Sequence, residues 1–340
     1  MIALETIADS IAANAPRLWT VKTISPTMTH QETLRHRTIY CEDALRGDFD
    51  FSYSVSSTRA IPFTKTLADV RTTPAKPVFW GGEQRGMQSS DEDLSNIKMR
   101  CPDGGLRTPD KAWELLANIN ADWAQCFANA GHHKSTSNRI LSIYNHTHCL
   151  WTGTEPGWMN FFGLRLDIGA DKTLRALAEA LWKEWNEHKP TTLKPGEWHL
   201  PFIEDQDYEN TILLNPQYPL EVQRNLIKIS VARCARLSYE SFTTNRRSTI
   251  EEDLDLYQRL VGGPIIHASP AEHQATPDEY IRNPSSPYDA PINPSPSNSR
   301  YAYYQWKNPQ QSGNLGPGWC QYRKMLPGEA LAPLPKEYQQ

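Results

Sequence analysis

The chain has 340 residues, with 35 Lys and Arg against 39 Asp and Glu, and a net charge of −4 at pH 7. No global field draws such a chain to nucleic acid or an anionic membrane, so any anion site must be local. Its 39% hydrophobic content includes eleven Trp, fourteen Tyr and nine Phe, which is enough large apolar surface for a sizeable core. No apolar run approaches the length of a membrane span, and the N-terminus lacks the basic-then-apolar order of a signal peptide. The six cysteines include no C-x-x-C pair, so neither a zinc ribbon nor a dithiol redox site is indicated, and reduced thiols in a cytoplasmic setting are expected. Cys149 and Cys234 stand in apolar surroundings and are expected in the core.

In chain order, Leu18 to Ile24 alternates and predicts a strand ending at Ser25-Pro26. Thr29 to Thr38 predicts a short helix carrying Arg35, His36 and Arg37 at its end, where the dipole favours positive charge. After an acidic, inserted-looking stretch at 41–50 comes a hydroxyl-rich run, Ser52 to Thr58, closed by Arg59. Arginine forks and Ser/Thr hydroxyls suit phosphate oxygens, and a solvated basic helix end before a polar loop is the competing reading. Residues 72–109 read as connections. Trp80 to Gln88 is a glycine-containing turn that matches neither G-x-G-x-x-G nor G-x-x-x-x-G-K-[ST], so no Rossmann or P-loop fold follows.

Thr108-Pro109-Asp110 is a helix start, and Trp113, Leu116, Trp123 and Phe127 recur after it at helical spacing, which predicts a core stripe. His132, His133, His146 and His148 lack a carboxylate or cysteine at ligand spacing, and no metal site is expected. Residues 135–150 predict a helix running into a strand. In Trp158 to Arg165, Asn160 and Arg165 are polar residues in a strongly apolar stretch, and an arginine there calls for an anionic partner, internal or ligand. Leu174, Leu177, Leu181, Trp182 and Trp185 mark an amphipathic helix stopped by His188-Lys189-Pro190. Residues 190–228 read as connections, a short strand and a helix near Pro219–Lys228. Ser248 to Glu252 is a capping-box start for a helix ended by Gly262-Gly263-Pro264. Residues 277–313 read as a long loop, and Trp319 to Lys324 as a short final strand.

Four separated segments together resemble the flavin-dependent thymidylate synthase family. Arg35-His36-Arg37 with Ser57 and Arg59 resembles its Arg-His-Arg motif and the serine and arginine that follow. Asn138-Arg139-Ile140-Leu141 with Asn160 to Arg165 resembles its Arg and Asn-Phe-Leu-x-Leu-Arg segments. Ala235-Arg236-Leu237-Ser238 resembles Ala-Arg-x-Ser, and His267 to His273 resembles Gly-His-x-[ST]-Pro-Phe-Glu-His. The last two segments come after the triplet here and before it in the common form. This circular rearrangement, with Gly196-Glu197-Trp198-His199-Leu200-Pro201, is similar to a bacteriophage-type branch. The family's Asn-Glu before the serine is Ser54-Val55 in this chain.

The resemblance implies an α+β fold, with a mixed or antiparallel sheet flanked by helices and no Rossmann domain. It implies two halves, 1–190 and 191–340, intertwined in one catalytic domain. It also implies conversion of dUMP to dTMP with methylenetetrahydrofolate as carbon donor, FAD as cofactor and NADPH as reductant, in a homotetramer with active sites between subunits. Carried over by position, Ser57, Thr58, Arg59, Arg139 and Arg165 would hold dUMP, with Arg165 also polarising the uracil ring. Arg35, His36, Arg37, Asn160, Ser238, His267, Ser269 and Glu272 would contact FAD. Two alternatives stand beside this: a related one-carbon transferase that hydroxymethylates dUMP or dCMP, and a non-catalytic flavin- or nucleotide-binding relic.

Overall fold

A computed structural model describes residues 1–30, 33, 51–86, 88–237, 247–263, 265–281 and 306–329. Its centre is a hairpin, β1 (Ala3–Ala12) and β2 (Ala15–Pro26), turned at Ala13-Asn14. β2 pairs antiparallel along its length with β6 (His146–Thr154), and β6 pairs with the short edge strand β3 (Ser52–Val55). β7 (Thr191–Thr192) joins β1 in parallel, which makes a five-stranded mixed sheet in the order β3-β6-β2-β1-β7. Two small pairs lie outside it: β4 (Met99–Arg100) with β5 (Leu106–Arg107), and β8 (Ala275–Pro277) with β9 (Trp319–Gln321).

Period-two alternation decides what each face of this sheet carries. Trp19 and Val21 of β2 and Cys149 and Trp151 of β6 enter one core with Phe51. That core is closed by α4 (Glu155–Arg165), through Trp158, Phe161 and Phe162, and by α5 (Lys172–Glu187), through Leu174, Leu177, Leu181 and Trp185. Trp19 and Phe51 each meet Trp158 with ring centroids 4.7 Å apart. Gly153 is required opposite Phe51, because a Cβ there would lie 2.6 Å from the ring. Each buried tryptophan removes on the order of 150–250 Å² from water, worth about 4–6 kcal/mol as an upper bound.

The intervening residues face the other side. Leu18 packs with Ala275 and Trp319, and Leu150 with Cys234 and Leu237. Cys234 belongs to α7 (Pro219–Arg236), which covers this face together with the segments after it. Both Cys149 and Cys234 are buried as expected. Burial pushes the Cys149 thiol up to about 12 and the Cys234 thiol higher still, so neither is a thiolate nucleophile at neutral pH.

Among the described residues the remaining helices are α1 (Phe63–Thr72), α2 (Pro109–Asn129), α3 (Lys134–Ile140), α6 (Asp205–Leu214) and α8 (Ile250–Val261). α8 starts on the expected capping box, with Thr249 and Glu252 as the reciprocal partners. Three expectations change. α7 runs to Arg236 and absorbs the apolar 229–236 stretch. α6 forms inside a region read as connections, on a box made by Glu204 and Asp207. On α2 the face turned to the core is Ala112, Ala117, Ala121 and Ala124, while Leu116 and Trp123 are 45% and 63% exposed and Phe127 is exposed too. Only Trp113 of the expected stripe packs inward, its indole donating to Ala75 O at 2.8 Å. Small side chains let α2 lie close against α1 and α3, and the large ones are left outside.

Candidate active site at the edge strand

β3 gathers three of the segments that resemble the flavin-dependent family: the Ser57–Arg59 turn, Asn138-Arg139 and the Ser269–Glu272 turn. At its end the chain turns tightly. Ser57 Oγ accepts from Arg59 N–H (3.2 Å), and Ser57 O accepts from Ala60 N–H (2.9 Å). α3 is stitched to this turn by side chain to backbone bonds. Asn138 Nδ2 donates to Thr58 O (2.9 Å) and Ile61 O (3.0 Å), and Lys134 Nζ donates to Ala60 O (3.0 Å). Asn138 is 1% exposed, so its amide fixes the turn and helix as one unit. Arg139 is the next residue. Arg59 and Arg139 are both exposed, and among the described residues neither guanidinium has a protein partner. Two permanent cations without counter-ions on one locked frame form an anion-receptive surface, with the Ser57 and Thr58 hydroxyls beside them.

One face of β3 holds the segment leading to the Arg35-His36-Arg37 triplet. The ring of His30 stacks on Tyr53 at 5.6 Å, its Nδ1 lies 3.1 Å from Tyr53 Oη, and Thr33 Oγ1 lies 3.3 Å from the same hydroxyl. Burial holds the His30 pKa below its ordinary value. Arg35, His36 and Arg37 themselves, and Ser238, lie outside the described residues.

The opposite face holds the 3₁₀ turn Ser269–Glu272. Ser52 Oγ and Gln321 Nε2 both donate to Glu272 O at 2.9 Å, which clamps the turn onto the strand. Ser269 is exposed on this turn, and His267 is exposed just before it. Glu272 is 8% exposed, and its carboxylate pairs with Arg323, which also meets Glu329 at 2.6 Å. A flavin contact by the Glu272 side chain would compete with that pair. Arg323 carried no motif to single it out in the sequence.

Asn160 and Arg165 are placed differently. Both lie on α4, whose buried face is Gly157, Trp158, Phe161 and Phe162. Asn160 is exposed on the outer side, and Arg165 is half-buried at the C-terminal end and engaged by the protein. Trp158, Phe161 and Phe162 lie on the face opposite Asn160, so the sequence context overstated its burial, whereas Arg165, one turn beyond Phe161 and Phe162, shares their face at the helix end.

Arg236 of the Ala-Arg-x-Ser segment is structural. It donates to Asp253 at 2.9 Å and to Glu252 O at 3.0 Å, tying α7 to α8. Arg233, one turn earlier, bridges Asp207 and Asp253. A separate cleft of about 370 Å³, lined by Met28, Trp80, Asp171 and Lys172 among others, contains none of the expected site residues. The candidate site is an open sheet edge instead.

No family model matches the chain, and no curated protein does. Among solved structures it is similar to a UMP/dUMP methylase, PolB, from Streptomyces cacaoi bound with 5-Br UMP. The identity is 13%, the likeness covers 55% of this chain and 89% of that one, and the TM-score is 0.39. A likeness at that level fixes neither fold nor chemistry.

Proposed function

We propose that the chain is a flavin-dependent enzyme that transfers a one-carbon unit to a pyrimidine nucleotide. The reaction is that of an FAD-dependent thymidylate synthase: dUMP, methylenetetrahydrofolate, NADPH and a proton give dTMP, tetrahydrofolate and NADP⁺. The observation that carries this reading is the meeting of three motif segments on β3: the Ser57–Arg59 turn, its Asn138-Arg139 partner and the Ser269–Glu272 turn.

Arg59 and Arg139 hold the nucleotide phosphate, with Ser57 and Thr58 supplying shorter-range donors. Arg165 draws electron density towards the uracil oxygens and so assists reaction at the ring carbon that accepts the new group. Arg35, His36, Arg37, Asn160, Ser238, His267 and Ser269 contact FAD. The exposure of Asn160, His267 and Ser269 leaves those side chains open to a ligand, whereas Glu272 contributes by fixing the turn. A bound flavin supplies the hydride chemistry, and the chain's own residues bind and orient. Homotetramer assembly, with sites between subunits, belongs to the same proposal.

The test is to incubate the purified protein with FAD, dUMP, methylenetetrahydrofolate and NADPH and to weigh the nucleotide product. A mass gain of one CH2, from a methyl group replacing the ring hydrogen, is expected, with tritium released from 5-tritiated dUMP. A hydroxymethyl product would move the assignment to the alternative transferase, for which the replacement of Asn-Glu by Ser54-Val55 speaks. A protein that takes up no FAD and releases no tritium would overturn both.

A further inference from the structure

Beneath the candidate site six side chains form an unbroken hydrogen-bonded row across four strands. Ser10 Oγ on β1 lies 2.8 Å from His199 Nδ1, and His199 Nε2 lies 2.7 Å from Thr20 Oγ1 on β2. Thr20 Oγ1 lies 2.6 Å from Thr152 Oγ1 on β6, and Thr152 Oγ1 lies 2.8 Å from His273 Nδ1. His273 Nε2 lies 2.8 Å from Ser54 Oγ on β3. His199, Thr20, Thr152 and His273 are each at most 1% exposed, Ser10 is 5% exposed, and Ser54 is half-buried at the edge. Burial favours neutral imidazoles at both histidines.

Proton counting constrains this row. A neutral imidazole brings one N–H and a hydroxyl brings one O–H. The row therefore holds six protons for five links, and one proton is left over. If the spare belongs to Ser10, every link runs towards Ser10 and both histidines are Nδ1–H. If it belongs to Ser54, every link runs the other way and both are Nε2–H. With His199 as Nδ1–H and His273 as Nε2–H, Thr152 would have to donate twice, which one hydroxyl cannot do. The reverse mixture strands a proton on Thr20 or Thr152, where no further acceptor is found among the described residues, at the cost of an unsatisfied buried donor.

We propose that these residues are a two-state proton relay in which both histidines share one tautomer and the state is read out at Ser54. In one state Ser54 gives its proton to His273 and can only accept from a ligand. In the other Ser54 has a free proton to donate. Passing between the states moves one proton along the row: Ser54 takes one from solvent or ligand at the edge, Ser10 gives one up to solvent at the other end, and each group between them gives one and takes one, so no net charge is left inside. An oxygen-bearing ligand at the β3 edge selects the donating state, and with it the tautomer of His199 three strands away, about 14 Å distant at ordinary strand spacing. This consequence for the site rests on the proposed function. The coupling of the two rings does not.

Neutron diffraction from crystals of the ligand-free protein locates the ring protons directly. The same tautomer is expected at His199 and His273. Ser54→Ala leaves His273 Nε2 without a partner. A bare lone pair there is less costly than a stranded N–H, so both rings are expected as Nδ1–H. Ser10→Ala acts from the other end and is expected to give Nε2–H at both. Opposite tautomers in the native protein, an imidazolium at either position at neutral pH, or a variant in which only the nearer ring responds would each overturn the relay. Neither flavin nor nucleotide is present, so the result is independent of the catalytic assignment.

Discussion

Replacing Asn138 by alanine tests the frame on which the candidate site is built. The amide makes two bonds to the turn, at 2.9 Å to Thr58 O and 3.0 Å to Ile61 O. Loss of the donor leaves two carbonyls short of a partner, at about 1–3 kcal/mol each. One term runs the other way: Asn138 Oδ1 is buried and has no hydrogen-bond partner among the described residues, so its removal relieves about 1 kcal/mol. A net destabilisation of about 1–5 kcal/mol is expected by urea unfolding. Asn138→Asp should be worse, because it turns a carboxylate towards the same two carbonyl oxygens. The turn and α3 then no longer move together, so dUMP affinity, measured by calorimetry on the folded variant, should fall about tenfold or more. Stability within about 0.5 kcal/mol of the parent would refute the stitch. Lost stability with unchanged dUMP affinity would keep the stitch and remove Arg59 and Arg139 from the nucleotide site.

Acid should weaken the fold earlier than carboxylate protonation alone would. His199 and His273 are held down to about 3 by burial, against 6.5 in the unfolded chain. Their contribution is complete above pH 6.5 and is lost as pH falls from there towards 3, because only the unfolded chain takes up protons in that window. Asp207 adds its share at lower pH: burial raises its pKa, but the Arg233 hydrogen bond and the other contacts win and the net shift is downward, so its stabilisation is lost only below about 4. Between pH 7.5 and 5.5 the two histidines together should cost about 2–3 kcal/mol, and equal urea midpoints at those two values would contradict their buried neutral state. On α2, Trp123→Ala should change stability by about 0.5 kcal/mol or less, while Ala121→Leu should cost about 1–3 kcal/mol. The opposite order would restore the aromatic stripe to the core.

Legibility of the chain followed the strength of its local patterns. β2 and α5 could be read because their apolar residues keep one period throughout, and α8 because Thr249 and Glu252 form a recognisable box. β1 went unread: register shifts at Thr6/Ala8 and Ser10/Ala12 interrupt its alternation. α6 went unread because its box pairs two acids, Glu204 and Asp207, and lacks the Ser/Thr start. On α2, large aromatics outweighed the alanines in the reading, yet close helix packing selects the small face. Arg59 and Arg139 were nominated by resemblance, but the sequence did not show that Asn138 is what joins them. His199 sat within a noted segment without a role, since its partners come from β1 and β2 and its link to His273 exists only once β6 lies between them.

The edge strand explains why these distant segments share a place. β3 is four residues long, and its alternation sends Tyr53 to one face and Ser52 and Ser54 to the other. Tyr53 receives His30 and Thr33, the residues that lead into the Arg35-His36-Arg37 triplet. Ser52 fixes the Glu272 carbonyl and Ser54 meets His273, the two residues that end the Ser269–His273 segment. Its C-terminal end then becomes the Ser57–Arg59 turn. A one-residue slip of β3 against β6 would exchange the two faces and break all of these contacts together. The Ser52↔Thr152 and Ser54↔Leu150 register is therefore set by polar partners on one face and by Tyr53 against Trp151 on the other. An edge strand this short gains little from its own ladder, and it keeps its position because sheet, turn and relay each hold a different residue of it.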